Sequence, residues 1–153
     1  MEKAEFRQVV YEKLTPKQKE LYNFQKISAT FADFGFNCIK LADDWQGADF
    51  LAYHSDEKTT LKVQLKSRIT IRKDYRGKEL WIAFPFKKQW YLIKHDVLIT
   101  KAEQHTNWLN AESWKQEQGF YHSANINKKL LESLEDDKLG PFYGPEEVAI
   151  GVE

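Results

Sequence analysis

The hydrophobic positions of the chain change period several times, and each change marks an element. In residues 3–14, Phe6, Val9, Val10 and Leu14 recur three to four apart, which predicts a short amphipathic helix. Thr15-Pro16-Lys17-Gln18 then opens a second helix. Thr15 can cap it, Pro16 suits the first helical position, and Gln18 completes a capping box. This helix is expected to run to about Phe34 and to stop at Gly35. Glu20, Phe24, Ile27, Phe31 and Phe34 are spaced 4, 3, 4, 3 along it, so they form one narrow stripe. Glu20 is in line with the apolar residues, and the expectation is that it points toward the core. An acid is also simply favourable near a helix N-terminus.

Past Gly35 the period becomes two. Phe36 to Leu41 reads as a strand, either an edge or a first core strand, and Asp43 to Gly47 as a loop. Asp49 to His54 is a second strand, Ser55-Asp56-Glu57-Lys58 a turn, and Thr59 to Arg68 a third strand. In the third strand Leu61, Val63 and Leu65 take one face, and Lys62, Gln64, Lys66 and Arg68 take the other. A turn centred between Asp56 and Glu57 pairs Asp49 with Gln64, their side chains on one face with Lys66. Ile69 to Gly77 is basic and turn-rich. Leu80 to Phe84 is a strand ended by Pro85, Phe86 to Gln89 a turn, and Trp90 to Ile93 a fifth strand. Val97-Leu98-Ile99 closes the sheet or starts a helix. Trp108 to Gln118 contains a short helix with Asn110 as its N-cap, stopped by Gly119. Ile126, Leu130, Leu131 and Leu134 mark a last helix entered at Asn125 or Asn127. The sum is an α/β domain over residues 1–140, a central mixed sheet that is mostly antiparallel meander, flanked by helices. Residues 141–153 read as a loose acidic tail.

Composition narrows the class. The chain has 153 residues, 42% hydrophobic and 14% aromatic, which suits one folded domain and excludes a disordered chain. No apolar run approaches the ~20 residues that span a bilayer, and the charged N-terminus is no signal peptide. The single cysteine, Cys38, excludes a disulfide framework and a cysteine-cluster zinc site. A cytoplasmic location is the expectation. The net charge is zero, yet eight basic residues lie between Lys66 and Lys88 against Asp74 and Glu79. Seven acids lie between Glu132 and Glu153 against Lys138. A basic middle and an acidic tail fit either a local polyanion site or a solvated surface.

The chemistry-bearing residues converge on the paired strands. Hydrolysis of a phosphodiester calls for a cation to shield the phosphate and a base or cation beside the attacking water. Asp49 can bind Mg²⁺ or Mn²⁺ directly, and Gln64 can add a neutral amide oxygen. Lys66 can orient the water and stabilise developing negative charge. Glu20 is a supporting carboxylate if its helix packs over this end of the hairpin. Arg68, Arg72, Lys73 and Arg76 are candidate phosphate contacts. Of the tryptophans Trp45, Trp81, Trp90, Trp108 and Trp114, most suit a core, and Trp45, just before Asp49, is the candidate base-stacking residue. His54, His95, His105 and His122 form no metal-binding spacing, and His95-Asp96 suits a local turn or a supporting role near the site.

Gly47-Ala48-Asp49-Phe50-Leu51 followed by Gln64-Leu65-Lys66 resembles the motif of the PD-(D/E)XK, restriction-endonuclease-like, nuclease superfamily. In that family a helix bears an acid, an Asp opens a strand, and E-x-K sits on the next strand. Phe34-Gly35-Phe36 resembles the helix-to-strand turn of its resolvase-like and intron-endonuclease-like branches. Some branches carry Q-x-K, as Gln64 does here. The resemblance covers about residues 17–95 and implies a restriction-endonuclease-like core, Mg²⁺ or Mn²⁺ as cofactor, and nucleic acid, DNA first, as partner. It also implies a homodimer as an assembly that cuts both strands. Replacing Glu by Gln removes a negative charge from the metal site, so a catalytically inactive nucleic-acid-binding module is the second reading. A protein-interaction domain using Trp81, Trp90 or the acidic tail is the third.

Overall fold

The computed structural model describes residues 6–142. Helix α1 spans Pro16–Ala32 and starts at the capping box: Gln18 N–H donates to Thr15 Oγ1 at 3.2 Å, and Thr15 N–H to Gln18 Oε1 at 2.9 Å. Its buried line is Asn23, Ile27 and Phe31, at four-residue spacing. Glu20 and Phe34 lie beyond the two ends of that line and are exposed, so Glu20 does not enter the core as expected. It pairs instead with Lys40 at 3.4 Å. The helix expected over 3–14 is absent from the described part of that range. Residues 6–10 are irregular, and Tyr11–Lys13 form a single 3₁₀ turn. Thr15 is held extended by the proline that follows it, which cuts the segment off from α1, and a helix this short has little stability alone.

Strand β1 spans Phe36–Trp45, β2 Ala48–His54, β3 Thr60–Leu65, β5 Leu80–Phe86, β6 Gln89–Lys94 and β8 Lys138–Pro141. They form one six-stranded sheet in the order β1-β2-β3-β5-β6-β8. Only the β3–β5 pair is parallel, so the sheet is mixed and mostly antiparallel. Strand β1 is an edge and continues through the expected loop to Trp45. It turns at Gln46-Gly47, whose φ angles of 52° and 86° belong to a tight hairpin. Pro85 does not end β5. It pairs with Trp90 beyond Ala83, where the β3 ladder stops and no N–H is required of it.

The stretch from Ile69 contains a strand the periodicity did not isolate. Strand β4, Ile69–Arg72, pairs with β7, Phe120–Ser123, as a separate two-stranded ribbon. Helix α2, His95–His105, resolves the Val97-Leu98-Ile99 run as helix. Trp108–Asn110 is a 3₁₀ turn and α3 spans only Glu112–Lys115, with Ala111 rather than Asn110 at its cap. Helix α4, Lys128–Ser133, is capped by Asn127, whose Oδ1 accepts from Leu130 N–H at 2.8 Å. The tail read from 141 begins in β8, where Phe142 N–H donates to Lys88 O, and from 143 onward it lies outside the described residues.

Two apolar clusters sit on the two faces of the sheet. Ile27 and Phe31 of α1 pack on Phe50, Ala52, Val63, Ala83 and Trp90. On the other face Ile82, Phe84 and Ile93 meet the β4–β7 ribbon, α2 and α4. No helix among the described residues is long and apolar enough to cross a membrane. Glu20 thus lies on α1, Asp49 near the start of β2, Gln64 near the end of β3, and Lys66 just past it.

Candidate active site

The β2–β3 turn fixes the site. Asp56 Oδ1 accepts from the N–H groups of Lys58 and Thr59 at 2.8 and 2.9 Å, and its Oδ2 accepts from Thr59 Oγ1. These bonds hold the Asp56 carboxyl near 2, well below the usual range. His54 N–H donates to Thr59 O, so the loop contains Ser55 to Lys58. The ladder then runs from Tyr53↔Thr60 to Phe50↔Val63, and Asp49 and Gln64 are the residues next beyond its last pair. This is the expected register.

Beyond that pair a side-chain bond links the two strands. Asp49 Oδ2 accepts from Leu65 N–H at 2.8 Å. Gln64 is buried, and its Oε1 has no hydrogen-bond partner, one of two such buried side-chain atoms among the described residues. The other is Asn23 Oδ1 on α1. Lys66 follows the end of β3, pinned by its N–H to Ala83 O at 2.8 Å. Its Nζ lies 5.7 Å from the ring centre of Tyr75.

Burial dominates the electrostatics of the site. Burial pushes the Asp49 carboxyl up to about 6. The Leu65 N–H and the Lys66 charge pull it down, while Asp44 and Glu20 push it up. Lys66 is lowered, first by burial and then by Arg72, against the pull of Asp49, Asp44 and Asp74. Asp49 and Lys66 are therefore charge neighbours. Burial pushes the Tyr75 hydroxyl up to about 12, so it stays a neutral phenol.

Asp44 was not among the expected residues, and its placement has a local cause. Lys40 pairs with Phe50 and Trp45 with Ala48, so Leu41 to Asp44 stand against Asp49 alone. The bulge swings Asp43 and Asp44 around Asp49, and with Glu20 they line one small groove. A second groove, of ≈ 380 Å³, is lined by Tyr11, Lys19, Glu20, Asn23, Leu65, Lys66 and Ser67. Glu20 borders both grooves from the rim. Among the described residues no three His, Cys, Asp or Glu side chains gather closely enough to hold one metal ion. The groups here that could hold a cation are the Asp49 carboxylate and the orphaned Gln64 oxygen. A carboxylate and a neutral amide oxygen are both donors that suit a hard divalent ion.

No protein-family model matches this chain, and no curated protein does. Among solved structures it is similar to Hjc, a Holliday junction resolvase from the archaeal hyperthermophile Archaeoglobus fulgidus. That likeness covers 71% of this chain and 91% of that one, at 11% identity and a TM-score of 0.43. It is also similar to the bacterial homing endonuclease I-Ssp6803I, over 74% of this chain and 78% of that one, at 15% identity and a TM-score of 0.44.

The expected phosphate contacts occupy different settings. Arg68 is exposed in the bend after β3, outside the strand it was expected to share, and its side chain has no ion pair among the described residues. Arg72 is held by Asp74 through two bonds of 2.9 Å. Lys73 and Arg76 lie over Trp114, 5.5 and 5.3 Å from the ring centre. Trp45 is 53% exposed at the hairpin tip, with Lys62 beside it. Trp90, Trp108 and Trp114 are core residues, as expected of most of the tryptophans. His95 is fully buried: its Nε2 accepts from Arg72 N–H at 3.0 Å and its Nδ1–H faces Asp96 Oδ1 at 3.2 Å. It braces β4 rather than joining the site.

Proposed function

We propose that this protein is a metal-dependent nuclease that hydrolyses phosphodiester bonds of nucleic acid, DNA foremost. The observation that carries the reading is Gln64. A buried amide oxygen without a partner costs stability, and this one is placed across from a carboxylate that burial leaves reluctant to ionise. A divalent cation held by these two residues would satisfy both groups. Asp49 and Gln64 would hold Mg²⁺ or Mn²⁺, which supplies shielding of the phosphate charge and acidification of water.

The rest of the work belongs to the chain. Lys66, desolvated and fixed at the end of β3, orients the attacking water and opposes the charge that develops on the phosphate. Asp49 positions that strand end through the Leu65 N–H. Glu20 and Asp44 add negative potential at the rim, which favours a cation and keeps phosphate away from the site until one is bound. Arg68, then Arg72, Lys73 and Arg76, hold the backbone through contacts that weaken with salt, and Trp45 stacks on a base. The exposed edge of β1, with Ile39 outward, is available to a second copy, and a homodimer would bring two such sites to two strands.

The test is incubation of purified protein with supercoiled plasmid, single-stranded DNA and RNA, with Mg²⁺, Mn²⁺ or EDTA. Cleavage with metal and none with EDTA supports the reading. No cleavage of any substrate, or Lys66→Ala cutting as fast as wild type, overturns it.

A further inference from the structure

Lys66 also lines a groove on the far side of the site, and what surrounds it there belongs to the ribbon. Strand β7 alternates between exposed and half-buried positions, whereas Ile69, Thr70 and Ile71 of β4 are all buried. Ile69, Ile71 and Tyr121 turn inward, Tyr121 stacking on Trp108 at 4.8 Å. Thr70 pairs with His122 and Arg72 with Phe120, so these four share one face, on which Phe120 and His122 are exposed and Thr70 is buried beneath them. There the rings of Phe120 and His122 lie parallel, at 9° and 5.8 Å between centres. Phe120 is 45% exposed. The groove beside them, of ≈ 350 Å³, is lined by Lys66, Ser67, Arg68, Thr70, Arg72, Phe120 and His122.

This is a costly surface to leave to water. A phenylalanine forfeits part of the roughly 1.5–3 kcal/mol its burial would yield. A lone exposed ring would need no explanation. Here two aligned rings share a groove with Lys66, Arg68 and the Asp74-paired Arg72, and no acidic side chain lines it. Flat rings beside positive charge match a base and its phosphate, and the stacking surface of a base is accessible only when it is unpaired.

We propose that the Phe120–His122 face is a stacking platform for an unpaired nucleobase, with Arg68 and Arg72 on the flanking phosphates, so that the substrate is a nucleic acid carrying single-stranded nucleotides next to the scissile bond. The inference rests on the nuclease reading for its meaning but not for its test. Phe120 takes the base by stacking, His122 extends the surface, and Lys66 links the platform to the cleavage centre. A fully paired duplex would reach the cations without using the rings.

Binding in EDTA, where cleavage is excluded, separates the two ideas. Fluorescence anisotropy with a labelled oligothymidine and a blunt duplex of equal length should show tighter binding of the single strand by wild type. Phe120→Ala should weaken that binding about tenfold and change duplex binding less than twofold, with the salt dependence of both unaltered. Phe120→Trp should restore it. Phe120 is half exposed, so the melting temperature of each variant should match wild type. Single-strand binding by Phe120→Ala equal to wild type, or equal losses on single strand and duplex, would overturn the platform and leave this face to a protein partner. If the platform holds and the nuclease reading fails, the same binding pattern appears in a protein that cuts nothing. If the reverse is true, Phe120→Ala cuts a plasmid and a single strand as wild type does.

Discussion

Asp49 Oδ2 accepts a hydrogen bond from the Leu65 N–H at 2.8 Å, tying the acid of β2 to the strand end that carries Gln64 and Lys66. The bond survives protonation of the other oxygen, and it survives an amide. Asp49→Asn therefore keeps the strand end in place and removes only the ionisation. Burial raises this carboxyl from 3.8 to about 6, so folding favours its protonated form. Its contribution to stability is full below the unfolded value and is lost as pH rises through about 6. Wild type should lose on the order of 1–2 kcal/mol between pH 4 and pH 7 from this group, the full shift being discounted for partial exposure. In Asp49→Asn that part of the slope should vanish, leaving the variant more stable than wild type at pH 7 without metal. Thermal melts from pH 4 to 8 check the sign. With Mn²⁺ the order should reverse, because a cation stabilises the ionised carboxylate and the amide cannot repay it.

Gln64 separates a metal site from an accident of packing. Gln64→Glu places a second carboxylate across from Asp49 in a buried position. Without metal the two repel, and the variant should melt lower at pH 8 by about 1–3 kcal/mol. With Mn²⁺ it should gain more than wild type gains, and its affinity by calorimetry should rise about tenfold or more as a neutral ligand becomes charged. Gln64→Leu removes the orphaned oxygen, so it should hold or raise the metal-free stability while abolishing metal binding. A variant that melts as wild type does and binds Mn²⁺ equally well would place the ion elsewhere.

The parts of this arrangement that the sequence makes legible are those set by short-range chemistry. Thr15, Pro16 and Gln18 specify the start of α1 by themselves. Asp56 closes a symmetric four-residue loop with its own side-chain bonds, and that symmetry sets the register whose last pair, Phe50↔Val63, is followed by Asp49 and Gln64. Asp44 was hidden because a bulge of β1 has no periodic signature: Asp43 to Gly47 read as a loop, and only the partner strand shows that β1 continues past Asp49. The ribbon was hidden for a related reason. Ile69 to Arg72 is a short run among basic residues, and its partner, Phe120 to Ser123, comes after α2 and α3. Pairing at that separation leaves nothing local to read. Glu20 was misplaced because a 4, 3, 4, 3 stripe describes a line along the helix without saying where the sheet beneath it ends.

Lys66 should show the conflict between stability and activity. Burial lowers its pKa first, and Arg72 adds to that, so its charge is held at a cost. Lys66→Met keeps the aliphatic bulk beside Tyr75 and removes the charge. Its melting temperature at pH 7 should equal or exceed that of wild type, while cleavage in Mg²⁺ should fall by about 10²–10⁴-fold. Affinity for an oligonucleotide should change only a few fold, since Arg68 and Arg72 remain. A variant that loses stability and activity together would make Lys66 a structural residue.

His95 is the brace that carries β4, and its protonation state is fixed by what it touches. Nε2 accepts from Arg72 N–H at 3.0 Å, so the ring must be neutral with its proton on Nδ1, facing Asp96. Burial lowers its pKa most strongly, Arg76 lowers it further, and Asp96 and Asp74 oppose them. For a base whose folded pKa is depressed, the contribution to stability is full above the unfolded value of about 6.5 and is lost as pH falls through the folded one. His95→Ala leaves the Arg72 N–H without an acceptor and opens a cavity beside Tyr75. It should cost about 2–4 kcal/mol at pH 8 and less at pH 5, where wild type has begun to lose the same bond. Urea unfolding at the two pH values measures the difference. Hydrogen exchange at the Arg72 amide gives a local readout. Protection there should fall in His95→Ala and in acid, while Val63 and Ala83 in the central sheet stay protected. If Arg72 exchanges no faster in the variant, the ribbon is held by its pairing with β7 and not by the histidine.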